Sequence, residues 1–312
     1  MEPRQRKPGK RLSFADKKTL SAFMETSIDK LKRSGRIRTS EAYRSALTSF
    51  MTFMDGKDVL FSNIDSDLMG AYEDYLHTHG VSMNSTSFYM RILRAVYNRA
   101  VDKKLTRHRD PFRHVYTGVE KTVKRAIPSS VIKDIKNMDL QDYPTLDYAR
   151  DMFLFSFYTR GMSFVDMAYL RKCDLYRGML SYRRKKTSQK LSIKWEPCMQ
   201  AIVDKYMRRT SPYLLPIIRN ISKEERLQYK NALTLVNRKL NLIGKMLDLA
   251  HPLTMYVARH SWASIAKEKN IPVSIISEGM GHESEKTTLI YLAALDSSLV
   301  DNANMLILRD FV

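Results

Sequence analysis

Nearly the whole chain is written with apolar residues at helical spacing, and one stretch of eighteen residues breaks that rule. In GMLSYRRKKTSQKLSIKW (178–195), Leu180 and Tyr182 alternate with polar neighbours before a run of cations, and Leu191 and Ile193 alternate after it. A period of two on both sides of a polar tip specifies a β-hairpin. The chain is therefore expected to be mainly α, with a small antiparallel hairpin or sheet set into its second half. Nothing in it alternates strand and helix as a parallel sheet would need.

The helices before the hairpin form a group of their own. One is expected over about 15–34, closing at Ser34-Gly35. A second has Thr39 as a candidate N-cap and carries Tyr43, Leu47, Phe50 and Phe53. A third follows Asn63 with Leu68, Tyr72, Tyr75 and Leu76; a fourth, about 84–103, places Tyr89, Leu93, Val96, Tyr97 and Ala100 on one face. Four helices with short joints read as one compact domain over 14–117, whose aromatics belong to its core. Residues 1–13, basic and with two prolines, read as a flexible arm. The mixed Gly, Pro, Ser and charge of 118–130 reads as a linker, and 131–312 as a second domain. That domain opens with helices, including the apolar run DMFLFSFYT (151–159), expected to be buried.

Charge narrows the partners. Lys+Arg number 53 against 33 Asp+Glu, a formal charge of +20. Such a balance suits a polyanion, most commonly nucleic acid. Arg91, Arg94, Arg99, Lys103 and Lys104 interleave with the apolar stripe of the fourth helix, and Lys121, Lys124 and Arg125 lie in the linker. Each alone is a solvated charge; together they suggest a surface that follows phosphates. The two cysteines, Cys173 and Cys198, form no CxxC pair and imply no disulfide framework, which fits a reducing cytoplasm. No secretory signal or membrane-spanning run is legible. No phosphate loop, HExxH or zinc-finger spacing occurs, so no metal or cofactor is expected. Chemistry at phosphorus then rests on fixed cations and a protein nucleophile.

Three segments carry such groups. LTMYVARHSWAS (253–264) starts a helix near Pro252 and Thr254, with Tyr256, Arg259 and Ala263 spaced along one face. Taken alone, that arginine reads as an ordinary surface charge. EGMGHESEKTTLIYLAAL (278–295) has two glycines before His282, which suggests an exposed imidazole at a turn. A helix bearing Tyr291 and anchored by Leu289, Ile290, Leu292 and Leu295 then follows. The hairpin tip RRKKTSQK supplies Arg183, Arg184, Lys185 and Lys186.

In this order the three segments resemble the tyrosine recombinase (phage integrase) family over 130–295, and the SAM-like core-binding domain of that family fits the four helices. The family's second domain carries an arginine in a TGLRxSEL-like box, a hairpin lysine, HxxR, and GHxS followed by tyrosine. Arg259-His260, Gly281-His282-Glu283-Ser284 and Tyr291 match that pattern. The wordings RGMSFVDM and YVARHSW look most like recombinases of Bacteroidetes mobile elements and invertible regions. The resemblance implies a bacterial, cytoplasmic, nucleoid-associated enzyme that cleaves and rejoins double-stranded DNA through a 3′-phosphotyrosyl link, needing neither metal nor ATP. It further implies Tyr291 as nucleophile, Arg259 and His282 on the phosphate oxygens, Lys186 as general acid, and a homotetramer on DNA, with a host DNA-bending protein as an accessory partner.

Two positions depart from the pattern. Ser163 stands where the first arginine belongs, and with Asp166 it reads as a helix cap. Arg160 or Arg184 is then expected to supply the missing charge. Arg184 is preferred because, in an extended strand, it faces the same way as Lys186. Tyr256 replaces the HxxR histidine and can donate a hydrogen bond but carries no charge. Arg183 and Lys185 join Arg91, Arg94, Lys121, Lys124 and Arg125 as expected DNA contacts. Inversion, integration and excision all stay open, and the absence of a full N-terminal arm-binding domain favours inversion or simple-site recombination. The tail DNANMLILRDFV is expected to dock on a neighbouring protomer or on its own domain.

Overall fold

A computed structural model of the protein describes residues 18–120, 125–207, 210–282 and 284–292; within the last helix the side chains of Lys286, Ile290 and Tyr291 are outside the description. The chain divides into two compact units, Met1–Thr122 and Val123–Val312. The basic arm of 1–13, Lys121, Lys124, Leu295 and the tail lie outside the described residues.

The first unit contains α1 (Leu20–Arg33), α2 (Ile37–Phe53), α3 (Ser66–Thr78) and α4 (Met83–Asp102), with a 3-10 turn at Phe61–Asn63. Phe50, Phe61, Tyr72 and Tyr97 are wholly buried between them, and Phe50 meets Tyr72 edge-on at 5.1 Å. Burying rings of this size contributes about 2–3 kcal/mol each. Their hydroxyls are satisfied: Tyr72 donates to Ser49 Oγ at 2.7 Å and Tyr97 to the Arg107 carbonyl at 3.1 Å. These aromatics are core, as the sequence suggests. Asp65 caps α3 by accepting from the Leu68 amide at 2.9 Å, and Ser82 caps α4. Thr39 is not a cap. The left-handed Gly35 (φ 73°) ends α1 so tightly that α2 is already under way at Ile37, with the Ser40 amide bonded to the Arg36 carbonyl. Arg91 is exposed on α4, and Arg94 donates to Thr117 Oγ1 at 3.4 Å.

The second unit is built around α6 (Pro144–Tyr158), whose Met152, Phe153 and Phe155 are wholly buried. Its other helices are α5 (Ser129–Asn137), α7 (Phe164–Tyr169), α8 (Pro197–Tyr206), α9 (Glu225–Met246), α10 (Met255–Glu268), α11 (Val273–Met280) and α12 (Glu285–Leu292). Helices α9 and α10 pack along α6, which is why α6 is apolar nearly all round. One buried carboxylate interrupts it: Asp151 accepts from Arg150 Nε at 3.0 Å, Lys205 Nζ at 2.7 Å and Tyr206 Oη at 2.8 Å. Strands β1 (Leu175–Tyr176), β2 (Met179–Arg183) and β3 (Lys190–Lys194) form one antiparallel sheet in that order. Its register pairs Leu180 with Ile193 and Tyr182 with Leu191, so the apolar positions share the core-facing side. Strand β1, two residues long, is too short to leave a periodic trace. Among the described residues no helix is long and apolar enough to cross a membrane.

Candidate active site

Four elements of the second unit bring Arg259, Arg184, Arg160 and His282 towards one place. Arg259 lies on α10 and is 8% exposed, so it is not the surface charge its setting in the sequence suggests. Its Nη1 donates to the Gly161 carbonyl at 2.9 Å, and its Nη2 donates to the Met280 carbonyl at 2.7 Å and faces His282 Nε2 at 3.0 Å. The loop between α6 and α7 approaches α10 so closely that a Cβ on Gly161 would lie 2.6 Å from the Arg259 Cα; Gly161 is also left-handed at φ 70°. Only glycine fits there without strain.

Arg184 follows β2 and is 9% exposed. Its Nη1 donates to the Gly281 carbonyl, and its Nε lies 3.9 Å from Asp166 Oδ2. Asp166 in turn accepts from Ser163 Oγ at 2.6 Å and from the Lys185 amide at 2.8 Å, while Ser163 Oγ accepts from the Asp166 amide. Ser163 is thus the cap of α7, and Asp166 reaches beyond it to hold both Arg184 and the start of the hairpin turn. That reach of Asp166 was not legible in the sequence, where it reads only as part of a cap.

The expected common direction of Arg184 and Lys186 is not observed. The Arg184 amide still bonds to the Gln189 carbonyl, but 185–187 form a turn, so the alternation of an extended strand stops at Arg184. Arg184 points inward and Lys186 is exposed. Arg160 also approaches the site but is half-buried, with Nη1 3.4 Å from the Ser192 carbonyl. Lys185 lies over the Tyr169 ring at 4.2 Å, Arg183 donates to the Ser188 carbonyl at 3.1 Å, and Arg125 is exposed.

His282 follows the left-handed Gly281 (φ 64°) that ends α11. The imidazole is half-buried rather than exposed, because α12 folds back over it and Thr288 Oγ1 stands 2.7 Å from Nδ1. Burial, and then the charges of Arg259, Arg184 and Lys186, push His282 down to about 4. The field at this imidazole is therefore positive, which is what an anion site requires.

Tyr291 lies on α12, whose end is anchored by the buried Leu292 against Ala263, Ala266, Ile276 and Met280 of α10 and α11. Leu289 is no anchor: it is 52% exposed. Tyr256 is 60% exposed and meets the buried His260 edge-on at 4.4 Å. The face it was expected to share with Arg259 and Ala263 is therefore split between solvent and interior. Among the described residues there is no cluster of three or more His, Cys, Asp or Glu able to hold a metal ion.

Residues 19–117 match the phage integrase SAM-like domain family. Over 241 residues the chain is 26% identical to tyrosine recombinase XerA of Pyrococcus furiosus, covering 74% of this chain and 78% of that protein. The chain is thus similar to a tyrosine recombinase over most of its length, and its first unit matches the SAM-like domain of phage integrases. Its fold agrees with that of solved integrases. A lambda integrase dimer bound to a COC′ core site superposes with a TM-score of 0.67 at 15% identity, covering 88% of this chain and 77% of that one. The Tn1549 transposon integrase in complex with a circular intermediate DNA gives 0.66 at 14% identity, covering 92% and 99%. The mainly helical architecture with its small antiparallel sheet is the expected one.

Proposed function

We propose that this chain is a recombinase that acts on DNA in a site-specific manner by covalent exchange through Tyr291. The observation that carries the reading is the convergence of Arg259, Arg184 and His282 beside the helix bearing Tyr291. Two buried guanidiniums are held by the carbonyls of Gly161, Met280 and Gly281. The Tyr291 oxygen attacks a backbone phosphate with loss of its phenolic proton. The P–O5′ bond breaks, and a 3′-phosphotyrosyl link forms. Arg259, Arg184 and His282 bind the non-bridging oxygens as charge builds on them, each donor worth a few kcal/mol in the transition state. Lys186, exposed on the hairpin turn, protonates the leaving 5′-oxygen. The phosphotyrosyl bond conserves the phosphodiester energy, so a 5′-hydroxyl from another strand rejoins it without ATP or a metal.

Arg184 rather than Arg160 takes the part of the arginine missing at Ser163. It is the more buried of the two, is tied to Asp166, and acts on the charge state of His282. Tyr256 contributes a hydrogen-bond donor at the edge of the site. Arg91, Arg94, Arg183, Lys185, Arg125, Lys121 and Lys124 contact the DNA backbone. Two duplexes with two exchange sites each call for four protomers on DNA; a host DNA-bending protein is a further partner.

The test is a nicked suicide duplex carrying the sequence that the protein selects from a random library. Wild type should form a covalent adduct, and Tyr291→Phe should bind the same duplex without forming one. Binding by wild type with no adduct would favour a second reading, a non-catalytic DNA-binding relative, which the substitutions at Ser163 and Tyr256 make worth testing. Adduct formation by Tyr291→Phe would mean that another residue is the nucleophile.

A further inference from the structure

Both ring nitrogens of His282 are engaged, and their partners fix where its proton sits. Nε2 faces Arg259 Nη2 at 3.0 Å, and Nδ1 faces Thr288 Oγ1 at 2.7 Å. A guanidinium has only protons to offer, so Nε2 must accept. The proton of the neutral ring then stands on Nδ1 and is donated to the Thr288 hydroxyl. Thr288 is wholly buried and lies on α12, one helical turn before Tyr291.

This arrangement is the reverse of what a phosphate needs. To donate to a phosphate oxygen, His282 must carry a proton on Nε2. It can gain one there, as an arriving phosphate offsets the cations that hold the ring neutral, or it can lose its Nδ1 proton and regain one at Nε2. A hydroxyl serves either outcome, since it accepts from Nδ1–H and, after rotating about its C–O bond, donates to a bare Nδ1. An aliphatic side chain serves neither. We propose that Thr288 is a positioning residue that fixes the His282 ring and lets it pass from acceptor facing Arg259 to donor facing the scissile phosphate. Because Thr288 rides on the helix of Tyr291, it also ties the readiness of this donor to the placement of the nucleophile. The proposal rests on the recombinase reading for its catalytic part and not for its tautomer part.

Two measurements test it separately. In DNA-free protein with ¹⁵N-labelled histidine, the His282 ring of wild type and of Thr288→Ser should show the proton on Nδ1. In Thr288→Val, a close match in volume, the Nδ1 proton loses its acceptor, so the Nδ1 signals should shift and broaden while Arg259 still holds Nε2 as the acceptor. A proton on Nε2 in wild type, or an unchanged ring in Thr288→Val, overturns the proposal. In the suicide-substrate assay, Thr288→Val should slow adduct formation about tenfold with DNA binding unchanged, and Thr288→Ser should restore most of the rate. Combined with His282→Ala, Thr288→Val should add no further loss; an added loss would mean that Thr288 merely packs α12, and would overturn its positioning role. If wild type forms no adduct, the recombinase reading fails, while the ring-nitrogen spectra still decide the His282–Thr288 contact. Should Thr288→Val not fold, the wild-type and Thr288→Ser spectra remain decisive.

Discussion

His282 contributes a pH dependence to the stability of the second unit. Its ordinary value of 6.5 is lowered to about 4 in the folded protein, chiefly by burial. Below about pH 6.5 the unfolded chain takes up a proton that the folded site refuses until about pH 4. This group therefore costs stability progressively as pH falls through that window and is neutral in its effect above it. Urea denaturation at pH 7 and pH 5 should show a drop that is smaller in His282→Gln. The two candidate arginines separate at the same scale. Arg184→Ala should lower the rate of adduct formation by about 10²–10³-fold, the cost of losing one donor to the developing charge. Arg160→Ala should change it far less, because its guanidinium is turned to the Ser192 carbonyl. The reverse ranking would move the missing charge to Arg160. Gly161→Ala should cost about 2 kcal/mol or more, since it adds a left-handed side chain against the Arg259 backbone. A thermal melt of that variant is the check.

At the scale of elements, the hairpin and the helices of the first unit were legible because their apolar positions repeat over many residues. Leu180, Tyr182 and Ile193 are buried on one side of the sheet as their alternation demands. What escaped the sequence depends on contacts between distant segments. The inward turn of Arg184 comes from Asp166, 18 positions earlier, and the shielding of His282 comes from α12 folding back. No local period records either one. Nor does a propensity distinguish Thr39 from Arg36 as the start of α2, which is decided by how sharply Gly35 reverses the chain. Helix α7 offers a test of this linkage. Ser163→Ala removes its cap and should cost about 1 kcal/mol. It also removes one of the bonds that steady Asp166, so adduct formation should slow although residue 163 itself contacts no phosphate in our scheme. An unchanged rate would show that Asp166 holds Arg184 without help.

At the scale of the whole molecule, the proposed function makes the formal charge of +20 the expected driving term for association with DNA. The logarithm of the binding constant should fall linearly with the logarithm of salt concentration, with a slope of about −0.9 for each phosphate neutralised. Arg91→Ala and Arg94→Ala, measured by fluorescence anisotropy over a salt series, should each flatten that slope by about one and weaken binding to all sequences alike. The cations of the active site raise a different matter. Arg259 and Arg184 are gripped by peptide carbonyls of the α6–α7 loop and of the end of α11, groups that every amino acid possesses. A lineage can therefore exchange the side chains around this site without dismantling the cradle. The main chain dictates where positive charge must lie and is indifferent to which segment delivers it. On the reading proposed above, an arginine at position 163 and one on the hairpin would be alternative ways of filling the same place in that cradle.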